Sequence, residues 1–508
     1  MNPSPVLLMI FDGFGVNPSK LDNGWYHANT SHIDKYFVTN PHTVLQASGT
    51  AVGLPDGQFG NSEVGHLTLG AGRILEQDLL RIAYAIRDGS MVESPVWQAL
   101  LQDTNSVHLI GLVSDGGVHS HISHLLEMLP LIVKAGVEPI IHMITDGRDS
   151  PPKSALKYLQ QLEEKLQELG SGRIATVSGR YWAMDRAGNY DRTEKAWRCI
   201  VQGKGFRAGS ATEAIENAYA RNETDEFIKP TYIDASSQSA IQIDDHVLFF
   251  NFRSDRARQL CSAFTSTEFN HFQRNGKKLK NLTCLTQYNK EFTCSFLFLP
   301  HYPQDVLAQV ISDAGLKQFH CAETEKFPHV TYFFNGGNEH CVEGEDQVMI
   351  PSSSVATYDL KPEMSTPQVA DRVIEAIHTE QYDFILVNFA NGDMVGHTAQ
   401  MDKICEAIEV MDTQAYRVFE AALSKGFRVM LTADHGNCDE ISDPLSGEAN
   451  TQHSVYPVPF LLIGEPDIRL GIGRGLADVA PTVLEIMGLT KPPHMTGRSL
   501  ILKQSLGF

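Results

Sequence analysis

Val6-Leu7-Leu8-Met9-Ile10-Phe11 runs without a break into Asp12-Gly13. Six consecutive apolar residues are too few for a buried helix, and a carboxylate with a glycine behind them marks a strand that ends in a polar loop. The pattern recurs along the chain. Residues 107–113 lead into Ser114-Asp115-Gly116-Gly117, and 139–144 into Thr145-Asp146-Gly147-Arg148-Asp149. Residues 174–177 lead into Ser178-Gly179-Arg180, and 246–251 into Phe252-Arg253. Near the other end, 384–388 precede Asn391-Gly392-Asp393, and 428–431 precede Thr432-Ala433-Asp434-His435. Amphipathic stretches at 154–169, 367–378 and 402–424 lie between these runs. Alternating strands and helices imply an α/β chain with mainly parallel sheets flanked by helices. In such sheets ligands bind beyond the carboxyl ends of the strands, where the polar residues stand here.

At 508 residues the chain exceeds what one core supports, since single cores stop growing at roughly 250–300 residues. The strand-end chemistry suggests where it divides. Near the N-terminus and in the last third those ends offer Asp, His and Ser; from about 107 to 256 they offer His, Asp and Arg. One domain, 1–76 with 302–508, would then be discontinuous, with a second domain, 77–301, inserted into it. The crossings fall near 75–78 and 299–305, where Pro300 and Pro303 break any helix.

Composition narrows the function. Hydrophobic residues make up 42% and charged residues 20%, as in ordinary globular chains. The 41 basic and 61 acidic residues leave a net charge of −20, which repels nucleic acid and anionic membrane. Any anionic ligand therefore needs a local cluster of arginines or metals. No apolar run reaches the roughly 18 residues that span a bilayer, and Met1-Asn2-Pro3-Ser4-Pro5 lacks a basic leader. Eight scattered cysteines include no close pair of the C-x-x-C kind, which argues for reduced thiols and a cytoplasmic chain.

Asp12, Asp393, His397, Asp434, His435 and His453 combine carboxylate with imidazole, a donor set that suits divalent metals. Asp393 and His397 would share one face if their segment were helical. Taken singly, an Asp–His pair four apart is usually a surface pair, and Asp-Gly after a strand is usually a turn. Asp434-His435 is more telling, because two titratable groups directly follow an apolar strand. Asn61-Ser62-Glu63-Val64-Gly65-His66 follows a glycine-rich loop. It reads as a helix start, with Ser62 either capping a backbone N–H or serving as a nucleophile where the helix N-terminus would also hold phosphate.

These motifs resemble the cofactor-independent phosphoglycerate mutases, members of the alkaline phosphatase superfamily. The resemblance rests on Asp12-Gly13, on Asn61 to His66, on Asp393-Met394-Val395-Gly396-His397-Thr398 and on Thr432 to Asn437. Asp115-Gly116-Gly117-Val118-His119-Ser120-His121, Thr145 to Asp149, Asn251-Phe252-Arg253-Ser254-Asp255-Arg256 and Glu323 to Thr331 extend it. It implies an alkaline-phosphatase-like domain carrying an inserted α/β domain, and it runs in order from Asp12 to at least His453. One metal would be held by Asp393, His397 and His453, the other by Asp12, Ser62, Asp434 and His435. Manganese is the first expectation, with zinc, cobalt or magnesium as alternatives. His119, Arg148, Asp149, Arg180, Arg186, Arg253, Arg256 and Lys326 match substrate-binding positions.

The implied reaction interconverts 3- and 2-phosphoglycerate through phospho-Ser62, without 2,3-bisphosphoglycerate. Asp149, ahead of His119, would exchange protons, and Lys326 would steady the transferring group. The inserted domain is expected to close over the site and exclude water, and the enzyme to be a monomer. A phosphomonoesterase or phosphopentomutase of the same superfamily is the nearest alternative. A non-catalytic metal or phosphometabolite binder is the more distant one. Gln452-His453-Ser454 stands where Ala-His-Thr is more usual, with the ligand retained.

Overall fold

The computed structural model describes residues 3–233, 240–300, 302–442, 447 and 449–502. The chain forms two compact units, Met1–Gln77 with Tyr302–Phe508, and Asp78–His301. Two strands open the first unit, β1 (Val6–Phe11) and β2 (His42–Gln46). The second unit holds β3 (Ser106–Leu112), β4 (Glu138–Thr145), β5 (Arg173–Gly179), β6 (Phe206–Ala208), β7 (Thr231–Ile233), β8 (His246–Phe249), β9 (Asn281–Thr286) and β10 (Ser295–Phe298). The first unit then resumes with β11 (Gln318–Glu323), β12 (Glu345–Ile350), β13 (Phe384–Phe389), β14 (Arg428–Thr432), β15 (Val458–Ile463) and β16 (Arg474–Gly475).

The first sheet has the order β12-β11-β13-β1-β14-β15-β2-β16. Its strands are parallel from β12 to β14. β15 runs antiparallel to both β14 and β2. β1 lies between β13 and β14, and every residue of β1 and β13 is buried. Burying each such apolar side chain contributes about 1.5–3 kcal/mol, so this is the rigid centre of the unit. The register pairs Phe11 with Phe389 and Ile10 with Thr432. Three neighbouring strands thus end at one level, and just beyond those ends stand Asp12, Asn391-Gly392-Asp393 and Asp434-His435.

The second sheet has the order β10-β9-β8-β3-β4-β5-β7-β6, parallel from β10 to β5, with β7 antiparallel to β5. Helix Ala155–Leu169 shows how the flanking layers form. It buries Tyr158, Leu159, Leu162 and Leu166 along one stripe and ends at Gly170 with φ 63°, the left-handed turn that glycine adopts without strain. Helix Met401–Ser424 is long, yet its buried residues from Ile404 to Ala422 also lie along one stripe. Among the described residues no helix is long and apolar enough to cross a membrane.

Candidate active site

Helix Ser62–Ala71 places the serine. Its cap is Asn61, whose side chain accepts from the Val64 N–H at 2.9 Å. The capping role that Ser62 could have filled therefore falls to Asn61, and the serine hydroxyl is left for other partners. Glycines let this helix approach closely. A Cβ at Gly65 would meet the Asp434 carbonyl oxygen at 2.6 Å, and one at Gly70 the Phe334 carbonyl oxygen at 1.9 Å. Ser62 is in this way pressed against the strand end that carries Asp434.

The serine Oγ donates to Asp12 Oδ1 at 3.1 Å and lies 2.9 Å from His435 Nε2. Lys326 Nζ donates to it at 2.7 Å, to Asp12 Oδ1 at 2.7 Å and to Asp393 Oδ2 at 2.6 Å. Asp393 Oδ1 lies 3.1 Å from His453 Nε2 and 3.2 Å from His397 Nε2, and accepts from Asn437 Nδ2 at 2.9 Å. The short helix Asn391–Gly396 supplies the turn that aligns Asp393 with His397, whose N–H closes onto the Asp393 carbonyl at 3.1 Å. The outer nitrogens of both histidines are anchored, His397 Nδ1 on the Thr451 carbonyl and His453 Nδ1 on that of Gly60. The His435 and His453 rings stack with centroids 3.9 Å apart.

The electrostatics favour cations. Asp12, Asp393 and Asp434 are almost fully buried, and isolated buried carboxylates are costly. Burial would push Asp12 up, but Lys326 and His435 hold it well below the usual carboxylate range. Burial would likewise lower His435, yet Asp434, Asp12 and Asp393 raise it to about 9. Lys326 is held above its ordinary value by the same carboxylates, against its own burial. Asp434 Oδ2 nevertheless has no hydrogen-bond partner. Two groups of side chains, Asp393 with His435 and His453, and Asp12 with His66 and Asp434, converge closely enough to hold a metal ion. A buried carboxylate oxygen without a donor, inside a set of carboxylates and imidazoles, fits divalent metal.

His66 belongs to this cluster by position, and sequence reading passed it over. Its Nδ1 lies 2.9 Å from the Ser62 carbonyl and 3.2 Å from Asp434 Oδ2, and its Nε2 lies 3.1 Å from Asn388 Nδ2. The single Nδ1 proton goes to the shorter contact, and Nε2 accepts from an amide that also donates to Asp12 Oδ2 at 2.7 Å. So placed, His66 steadies the Asn388 amide and, through it, Asp12. Asn437 steadies Asp393 in the same way.

In the second unit β4 and β5 bring the arginine loops together. Asp146 is the hub. It accepts from Ser114 Oγ at 2.6 Å, from Arg180 Nη1 at 2.6 Å and from the backbone N–H groups of Arg148 and Asp149 at 3.2 and 3.0 Å. Arg180 also donates to Asp149. His119 lies 3.9 Å from Asp149 and 3.5 Å from Asp255, while Arg186 and Arg253 reach Asp255 at 2.7 and 3.5 Å. Arg256 donates to the Met184 carbonyl at 3.2 Å. Burial lowers the Arg256 pKa, and the positive charge of Arg180, Arg186 and Arg148 lowers it further. The arginines therefore crowd one another, and an anion would relieve them. Burial and Arg180 bring His119 down to about 4, against the pull of Asp255 and Asp149. Asp146 and Asp255 were legible only as loop acids, and their organising role comes from contacts between distant loops. Arg148 lies on the rim, its side chain 55% exposed and 3.8 Å from Glu226.

Residues 82–290 match the family model described as the BPG-independent PGAM N-terminus. Over 511 positions the chain is 48% identical to the 2,3-bisphosphoglycerate-independent phosphoglycerate mutase of Symbiobacterium thermophilum, covering 99% of both chains. This chain belongs to that family. A second member, from Syntrophotalea carbinolica, is 47% identical with 98% of each chain covered. A solved phosphoglycerate mutase of Leishmania mexicana, crystallised at low cobalt concentration, superposes with a TM-score of 0.72 at 30% identity. It covers 99% of this chain and 98% of that one. The family thus extends over the whole sequence, and both clusters lie within the aligned length.

Proposed function

We propose that this chain interconverts 3-phosphoglycerate and 2-phosphoglycerate through a phosphoserine on Ser62, with two divalent metals and no need of 2,3-bisphosphoglycerate. The observation that carries the reading is the Ser62 hydroxyl. Asn61 takes the cap, the helix N-terminus lies behind the serine, and its hydroxyl touches Lys326 and His435 in a chain that aligns over 99% of a family member.

Ser62 gives up its hydroxyl proton to solvent and its Oγ attacks phosphorus; the Oγ–P bond forms, the bond to the glycerate 3-oxygen breaks, and Oγ regains a proton when the 2-oxygen later displaces it. Lys326 offsets the charge of the transferring group, and the N–H groups of the helix start favour the phosphate once it is on Ser62. Glycerate then reorients, and its 2-oxygen attacks phospho-Ser62. Asp149 enters this step protonated, gives its proton to the departing 3-oxygen and recovers one from the attacking 2-hydroxyl, with Arg180 holding the side chain in place. His119, neutral at ordinary pH, presents an Nδ1 without a hydrogen-bond partner. Arg148, Arg186, Arg253 and Arg256 bind carboxylate and phosphate, which guanidinium forks match bidentately. Divalent ions held by Asp393, His397 and His453, and by Asp12, Ser62, Asp434 and His435, would favour the ionised serine and neutralise phosphoryl charge. Manganese suits this mixed oxygen and nitrogen donor set. We further place the enzyme in the cytoplasm, and as a monomer, the second of which light scattering on the purified protein tests.

The test of the reaction is metal-stripped protein with 3-phosphoglycerate, with and without manganese, and without 2,3-bisphosphoglycerate. Manganese-dependent 2-phosphoglycerate with little free phosphate is expected. Free phosphate as the main product would make this a phosphatase.

A further inference from the structure

Asp439 follows the Asp434-His435 pair on the same loop and is completely buried. Its two carboxylate oxygens are taken by uncharged donors. Oδ1 accepts from the Gly15 N–H at 3.1 Å, and Oδ2 accepts from Ser454 Oγ at 2.8 Å. The Asp439 carbonyl accepts from Asn17 Nδ2 at 2.9 Å. Two glycines make room for the carboxylate. A Cβ at Gly15 would lie 2.3 Å from Asp439 Cγ, and one at Gly436 would lie 2.2 Å from Ser454 Oγ and 2.7 Å from Asp439 Oδ1. Burying a carboxylate is costly, and burial raises this one to about 6 against its bond from Ser454. The phosphoryl-transfer steps use none of these groups.

We propose that Asp439 is a positioning residue for both metal sites, acting through the loops that carry the ligands and not as a ligand itself. The proposal rests on the metal reading given above. Three loops meet at this side chain. The loop after β1 carries Asp12 and then Gly15; the loop after β14 carries Asp434, His435 and Asp439; the third carries His453 beside Ser454. Backbone bonds join these loops in pairs. The Asn437 N–H donates to the Gly13 carbonyl at 3.0 Å, and the Ser454 N–H to the Gly436 carbonyl at 2.9 Å. The Asp439 carboxylate joins all three at one planar group. A ligand stands next to one tether and another stands in the same loop as the other, so a shift of either loop moves a ligand. Metal–ligand distances hold within about 0.2 Å, which leaves little room for such a shift. The tie needs two hydrogen bonds and not a charge. An amide in the same place would accept from Gly15 through its oxygen and donate through its nitrogen to the Ser454 hydroxyl, which can turn to accept.

The test titrates the metal-stripped whole protein with manganese and follows free manganese by electron paramagnetic resonance, which reads binding without turnover. The wild type should take up two equivalents. Asp439→Ala should weaken both, by the roughly tenfold to hundredfold that outer-shell partners carry. Ser454→Ala cuts only the tie beside His453, so it should weaken one equivalent and leave the other. Asp439→Asn should stay within a few-fold of wild type at both. A role in folding alone would lower the urea midpoint of Asp439→Ala and leave both affinities where they were, which would overturn the proposal. Asp439→Asn binding as weakly as Asp439→Ala would overturn it too, because charge and not the tie would then be what matters. If Asp439→Ala fails to fold, Ser454→Ala decides, and two unchanged equivalents in that variant count against the tie. A wild type that takes up no manganese would refute the metal reading itself, and this proposal with it.

Discussion

Ser62 shows how one neighbour decides a residue's use. Because Asn61 Oδ1 takes the Val64 N–H, the serine hydroxyl faces Asp12, His435 and Lys326. Ser62→Ala should abolish isomerisation while the metal held by Asp393, His397 and His453 is retained, read by product formation and elemental analysis of one preparation. Substantial residual turnover would exclude the phosphoserine route. His66 tests the supporting layer. Its hydrogen bonds to the Ser62 carbonyl and Asn388 hold the Asp12–Asp434 side of the cluster, and outer-shell partners of this kind typically carry about 10–100-fold in affinity or activity. His66→Ala should lower manganese affinity by that order, measured by titration, with the circular dichroism spectrum retained. The residue types here were readable, but the division of labour was not, since it depends on which of two acceptors receives a proton.

At the scale of elements, helix Ser62–Ala71 is positioned by what it lacks. Gly65 has no Cβ to strike the Asp434 carbonyl, and overpacking such a contact costs about 1–3 kcal/mol. Gly65→Ala should therefore depress kcat far more than Gly475→Ala, where φ is −134° and an added Cβ meets nothing nearer than 3.4 Å. β3 and β4 carry a different liability. His108 Nδ1 lies 2.9 Å from His142 Nε2 between them, and His124 donates to the Leu79 carbonyl at 2.9 Å. Burial holds His142 well below its ordinary value and His124 at about 4. His142 and His124 stay neutral when folded, whereas the unfolded chain takes up protons below about pH 6.5. Stability should thus fall as pH drops from about 6.5 toward 4, by roughly 1–3 kcal/mol per such histidine. Urea midpoints for residues of the second unit, tracked by hydrogen exchange, check this; midpoints that do not move across that range would contradict it. Sequence reading found the fully apolar strands, such as β1 and β13. It passed over β11, whose Gln318 and His320 break the apolar run although every residue is buried. It also missed β9 and β15, and the short or edge strands β2, β6, β7, β10, β12 and β16.

For the molecule as a whole, charge sets the terms. A net charge of −20 sits on a protein that we read as handling trianionic substrates, and locally it is offset by arginines gathered around Arg256 and by the proposed cations. Removing metal should leave Asp12, Asp393 and Asp434 with only Lys326 and His435 as counter-charge. The stripped protein should melt earlier, and manganese at a hundred times its Kd should restore about 2.7 kcal/mol per site, seen as a concentration-dependent rise in Tm. A Tm indifferent to manganese would argue that the cluster needs no cation. Lengthwise identity to the family accounts for how much was legible early: ordered motifs named the family, and the negative net charge disfavoured polyanionic partners.

By itself the sequence determined the α/β class, the family and the residue types at the strand ends, because strand hydrophobicity and loop chemistry are local properties. Only the tertiary structure decided that Asn61 and not Ser62 caps its helix, that His66 lies among the candidate ligands, and that Asp146 and Asp255 organise the arginines. It also decided that Asp439 ties the loop after Asp12 to the one that carries His453. Each of these depends on which distant segments are brought within hydrogen-bonding or van der Waals distance. That is set by strand order and register, which the apolar pattern of any one segment does not encode.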